Sequence, residues 1–148
     1  METELISVKV VWEDEEHPDV SYLESKIVNG KVEDSCRYTQ NEYDANPEQV
    51  MKWVEEDMHR LETYGEHWIM MGCKAKAIIN VPIQHNPENS IIQTITSGGL
   101  WGIESDSTPE YLKEVETEEL ECLRLQLEAL GVSTSRFNHL VTRGEDEQ

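Results

Sequence analysis

Apolar residues alternate with polar ones along some stretches of this chain and return every three or four positions along others, and the two rhythms predict different elements. In LISVKVVW, residues 5–12, Ile6, Val8 and Val10 alternate with Ser7 and Lys9, the period-two pattern of a half-buried strand. Residues 68–81, WIMMGCKAKAIINV, interleave Cys73, Ala75 and Ala77 with Lys74 and Lys76. That predicts a long strand, small on one face and lined by snorkelling lysines on the other. The turn-rich QHNPENS at 84–90 leads to a return strand at 91–96, which makes a β-hairpin with a long loop. Val28, Asn29, Gly30 and Lys31 carry the Asn-Gly signature of a second, shorter hairpin. The mixed polar stretch 34–45 reads as either a loop or an edge.

Two segments have the helical rhythm. Asn46 is an N-cap, Pro47 sits at the first helical position, and Gln49 completes a capping box, so a helix is predicted from there to about Thr63 with Gly65 as its stop. Val50, Val54 and Leu61 form its apolar face, widened by Met51, Trp53 and Met58. Glu48, Glu55, Glu56, His59 and Glu62 face water. The last helix starts near residue 108 or 109, capped by Ser107 with Glu110 or by Thr108 with Pro109. Leu112, Val115, Leu120, Leu123, Leu127 and Leu130 make one stripe that ends at Gly131, while Glu110, Glu114, Glu118, Glu121 and Glu128 occupy the opposite face.

Strand, hairpin, helix, long strand, strand, helix: this order predicts an α+β fold, an antiparallel sheet with two main helices packed on one face. At 148 residues the chain fits one domain, taken as residues 1–132, and a partly disordered tail at 133–148 that ends in GEDEQ.

Charge turns this plain outline into one with a preferred class of partner. The chain has 31 Asp and Glu against 12 Lys and Arg, a net charge of -19, yet its 37% hydrophobic content is that of a folding chain. Such a balance excludes unaided binding to nucleic-acid phosphates or anionic membranes and favours basic protein surfaces. The acid is unevenly spread. Residues 1–25 hold eight acids and one Lys and residues 104–131 nine acids and two bases, whereas 67–103 hold only Glu88 against Lys74 and Lys76. Acids stand at the N-terminus where a signal peptide needs bases, and no apolar run nears the roughly 18 residues of a membrane span, so a cytoplasmic protein is expected. Cys36, Cys73 and Cys122 are odd in number and lack CxxC spacing, which suggests neither a disulfide framework nor a zinc site.

The densest junction is QTITSGGLWGIESDS, residues 93–107, where a strand meets two glycines, Trp101 and an acidic turn before the last helix. Two readings stay open. In one it is a folding device: a bulge, a packed tryptophan and a helix cap. In the other Trp101 anchors a recognition surface. The expected partner-binding residues are then Trp101, Glu104, Asp106, Glu110, Glu114, Glu118 and Glu121, joined by Glu13, Asp14, Glu15, Glu16 and Asp19 of a second acidic turn. Glu110 and Glu114 are separated by roughly 6 Å along a helix axis. That is of the order of the spacing between phosphates on a nucleic-acid strand.

Catalytic chemistry finds little footing. No Lys or Arg follows Gly98 and Gly99, so a phosphate-cradling loop is disfavoured. Glu104 with Asp106, or Asp14 with Glu16 and Asp19, have the spacing to share a divalent cation but match no calcium-loop pattern and read as solvated acidic turns. His17, His59, His67, His85 and His139 are scattered, with no i, i+4 partner ligand. No cofactor, metal or catalytic residue is assigned, and an enzyme is disfavoured.

QTITSGGLWGIESDSTPEYLKEVETEELECLRLQLEALGV, with the preceding YGEHWIMMGCKAKAII and the early DVSYL, resembles a family of small acidic proteins encoded by bacteriophages and bacterial mobile elements. The likeness spans roughly residues 19–132 and is most specific at 93–107. It implies a phage or mobile-element origin and a bacterial host cytoplasm, but it carries over no catalytic residue. By analogy of charge with small acidic phage proteins, the expected function is an anti-restriction or anti-CRISPR inhibitor. Such a protein acts as a DNA mimic on the basic surface of a host nucleic-acid-binding protein and binds no nucleic acid itself. The alternatives are an accessory protein that binds another partner through Trp101, and a small hydrolase or nucleotide-binding protein. A homodimer is compatible with each.

Overall fold

A computed structural model describes residues 2–144, without the side chain at position 87. In chain order the elements are β1 (Glu4–Asp14), a 3-10 turn (Ser21–Leu23), β2 (Lys26–Val28), β3 (Lys31–Glu33), α1 (Gln40–Ala45) and α2 (Pro47–Glu62). They continue with β4 (Met70–Ile83), β5 (Asn86–Thr96), β6 (Leu100–Glu104), α3 (Pro109–Ala129), α4 (Phe137–Leu140) and β7 (Val141–Gly144). The fold is α+β with an antiparallel-dominated sheet, as the pattern predicts. Contacts divide it into two units. One joins β1 to everything from β4 onward, and the other is the inserted segment Glu16–Ile69.

The first unit is built on a sheet of order β5-β4-β1-β7, with β6 also paired to β4. Every pairing is antiparallel except that of β7 with β1. Period-two alternation sends Ala75, Ala77 and Ile79 of β4 and Val8 of β1 to one face, where they pack with Leu123 and Leu127 of α3 and with Val132 and Phe137. A second cluster, Val10, Cys73, Ile103 and Val115, continues this core toward the start of α3. Helix α3 lies on this sheet, and in the other unit α2 packs on α1 and the 3-10 turn.

Local details refine the expected elements. The register of β1 shifts between Leu5 and Ser7, so Leu5 takes the core position and Ile6 remains 43% exposed. Ile83 pairs with Asn86, which shortens the expected loop to a tight turn at Gln84 and His85. Of the two possible caps for α3, Thr108 is used: its side chain accepts from Tyr111 N, with Pro109 at the first turn. Ser107 Oγ donates instead to Glu104 O at 2.6 Å. Leu130 lies outside the core because it is the C-cap. The chain reverses at Gly131 (φ +80), Val132 N donates to Leu127 O at 2.9 Å, and Val132 fills the core in its place. Residues 133–144, expected as part of a tail, include α4 and the paired strand β7. The rest of that expectation, 145–148, lies outside the described residues.

In the inserted unit, Asn29 and Gly30 both adopt left-handed backbone angles (φ 51 and 76), the requirement of the tight turn that joins β2 to β3. The stretch read as loop or edge contains α1, capped by Thr39 through Glu42 N. Helix α2 has the predicted Asn46 cap and Pro47 start, and it buries Val50 and Val54. Asp57 replaces the expected apolar widening: Met51, Trp53 and Met58 are exposed while Asp57 is buried. Its carboxylate accepts from Arg37 Nη1 and from Tyr38 OH, each at 2.7 Å. Burial first, then the hydrogen bond to Asp57 and its charge, push Tyr38 up to about 12.

The cysteines differ sharply. Cys36 and Cys122 are exposed and Cys73 is buried, its thiol pushed up to about 12 by burial and then by the charges of Glu116 and Glu119. At neutral pH two thiols per chain are therefore expected to react with a thiol reagent promptly, and the third only in denaturant. The unfolded chain loses the Cys73 proton near the ordinary value of 9.0 and the folded chain keeps it to about 12, so stability falls as pH rises through that window. Denaturant titrations from pH 8 upward check the sign, and Cys73→Ala should flatten the decline.

Candidate functional site

The junction of residues 93–107 is held by a carboxylate that the sequence gives no overt sign of. Ser97 exchanges bonds with Ala75 at the end of the β4–β5 ladder: its N donates to Ala75 O at 2.8 Å and its Oγ accepts from Ala75 N at 2.9 Å. The Ser97 hydroxyl then donates to Glu119 Oε1 at 2.8 Å, and Gly99 N donates to the same oxygen at 2.9 Å. Glu119, buried on α3, thus ties the glycine turn to the helix. Gly99 has φ +83, a conformation that costs other residues dearly, and the chain re-enters the sheet as β6. Trp101 lies against Gly72, where any Cβ would overlap its ring, yet it remains 47% exposed. One part of this side chain is thus packed against the sheet and the rest is open to solvent.

Several of the expected contact acids serve the fold. Glu13 Oε1 pairs with Lys74 Nζ at 2.6 Å across the β1–β4 ladder, and Glu15 Oε2 accepts from Gly102 N at 3.2 Å. Asp14 is exposed. Glu16 and Asp19 belong to the inserted unit, so the second acidic turn spans a unit boundary. Asp19 accepts from Ser21 N and Oγ, which hold its carboxyl below the ordinary range. Glu104 is half-buried, paired with Met70, and Asp106 is exposed. Glu121 and Glu128 both bind Arg124, whose guanidinium lowers the Glu121 carboxyl.

What remains on α3 is a row. Glu110, Glu114 and Glu118 follow one another at i, i+4, all exposed, and among the described residues none has an ion-pair partner. Like charges at this spacing destabilise an isolated helix by about 0.2–0.5 kcal/mol per pair. Only Glu110, in the first turn, gains from the helix dipole. Cations collect on the other side of the sheet. Lys9 and Lys76 are register partners on the face opposite α3, and Lys74 shares that face by alternation. In the first unit the unpaired acids thus lie outward on the helix, and the three lysines lie on the far sheet face, where Lys74 is paired with Glu13.

The sequence reading missed Glu116 and Glu119, both buried. Their spacing was the available signal, since 112, 116, 119, 123 and 127 trace a helical stripe as well as the leucines do. Glu116 accepts from Trp12 Nε1 at 2.9 Å and pairs with Arg143 Nη2 at 2.7 Å, which clips β1, α3 and β7 together. It lines an open cavity of about 490 Å³ walled by Trp12, Met71, Pro109 and Leu112. Both Glu116 oxygens are engaged there, and Lys113 and Arg143 complete the lining. Among the described residues no group of three or more His, Cys, Asp or Glu side chains is placed to hold a metal, and no helix is long and apolar enough to cross a membrane. In comparisons with family models, curated proteins and solved structures, nothing matches this chain.

Proposed function

We propose that this protein is an acidic inhibitor that occupies the basic, DNA-recognising surface of a host defence protein of the restriction or CRISPR kind, with the outer row of α3 as its contact. The observation that supports this reading best is the unpaired row Glu110, Glu114 and Glu118, which carries a small cost in helix stability and has no partner within the described fold. The placement of Lys9, Lys74 and Lys76 on the sheet face opposite α3 supports it too, because a basic partner approaching α3 does not meet them. The choice of a bacterial defence protein as partner carries forward the phage or mobile-element origin expected from residues 93–107.

The contact narrows relative to the full set of acids. Glu121 is engaged by Arg124, and Glu13 and Glu15 by the fold, so Glu110, Glu114 and Glu118 carry the expected interaction. The immobilised protein is expected to retain nucleic-acid-binding proteins from a bacterial extract and to release them to duplex DNA. Affinity should fall about tenfold or more between 50 and 200 mM salt, in line with a contact made by several charges. Retention that ignores both salt and DNA would overturn this reading. It would favour a second one, contact through the exposed part of Trp101, for which Trp101→Ala is the decisive variant.

A further inference from the structure

We infer that the outer edge of β5 is a self-association site, where a second copy of this chain pairs antiparallel to extend the sheet. Strand β5 ends the sheet order and, among the described residues, pairs only with β4, so every second residue presents its N–H and C=O outward. Edge strands are ordinarily protected by charge, proline or a bulge. In β5 such protection stands at its start, with Pro87, Glu88 and the register irregularity opposite Pro82 and Ile83. Residues 89–103 carry no charged side chain and no proline, in a chain of net charge -19, and the β4–β5 register runs unbroken from Ser90 to Thr96.

The side chains point to edge pairing over docking on a face. Ile91 and Ile92 project to opposite faces, yet they are 47% and 61% exposed, so no partner lying on one face covers both. A strand added alongside sets neighbours against each. With Gln93 on the twofold axis, Ile91 stands opposite the Ile95 of a second copy and Ile92 opposite its Thr94, β-branched against β-branched and with no charge facing charge. Charge also selects the occupant. Two copies of this chain repel over most of their surface, and the uncharged run is where their backbones meet without acids directly opposed, whereas a basic partner finds no counter-charge there.

Salt separates this inference from the proposed function, because screening weakens attraction to a basic partner and relieves repulsion between like copies. Sedimentation of the full chain at 50 and 500 mM NaCl is expected to show dimer formation strengthened about tenfold or more at the higher salt. Ile92→Lys, at an exposed position, should hold the protein monomeric at both salts with unchanged circular dichroism. Amide exchange should slow at residues 90–96 on dimerisation of the wild type alone. A monomer at all concentrations and both salts, a dimer that Ile92→Lys leaves intact, or protection elsewhere than β5 would each overturn the inference.

Discussion

Replacement of Glu110, Glu114 and Glu118 together by Lys is expected to abolish capture of the proposed basic partner while the fold survives. The change moves the outer row of α3 by six charge units at one contact. Exposed ion pairs contribute roughly 0.2–1 kcal/mol each. Their reversal replaces attraction with repulsion of similar size, so about 3 kcal/mol is lost, a factor of roughly a hundred in affinity, with much of the effect on the association rate. Inside the helix the cost is small. One like-charged row replaces another, and a Lys in the first turn opposes the dipole by about 0.3–1 kcal/mol. The triple Gln variant should fall between wild type and the Lys variant. Reversal of Glu121 should matter less, because Arg124 already partners it. Affinity measured beside a thermal melt checks both halves, and a Lys variant that binds as well as wild type would remove α3 from the interface.

Legibility in the sequence followed the range of the interaction. Helix starts at Asn46 with Pro47 and at Thr108 with Pro109, the stop at Gly131 and the turn at Asn29 with Gly30 are decided within a few residues, and each was visible. Strand β6 was not, because its partner Met70–Cys73 is also bordered by β1 and nothing in LWGIE alternates. Strand β7 is short and polar and exists through its parallel pairing with β1, more than a hundred residues away. The charge count treats all carboxylates alike. Burial separates them: Glu116 and Glu119 face inward to Trp12, Arg143, Ser97 and Gly99, and Glu118 between them faces out. Composition alone does not distinguish a carboxylate that holds a turn from one left open to solvent.

The same contrast predicts that Glu119→Leu is among the most damaging single changes outside the apolar core, and that Glu119→Gln is mild. Both bonds at this site end on one oxygen, Glu119 Oε1, which accepts from the Ser97 hydroxyl and from Gly99 N. Leucine removes that acceptor and leaves two donors in a largely buried turn without a partner. At about 1–3 kcal/mol for each unsatisfied group the loss is roughly 3 kcal/mol. A glutamine carbonyl presents an oxygen at the same place and keeps both bonds without the charge, so it should cost about 1 kcal/mol. Denaturant titration ranks the two. A second readout separates loss of the turn from general destabilisation: residues 97–99 lead directly into β6, so release of Gly99 should loosen Trp101 from Gly72 and shift the tryptophan emission of the folded Leu variant, whereas the Gln variant should keep the wild-type spectrum. Equal loss of stability in both variants would mean that the charge of Glu119, and not the position of its acceptor oxygen, holds the junction together.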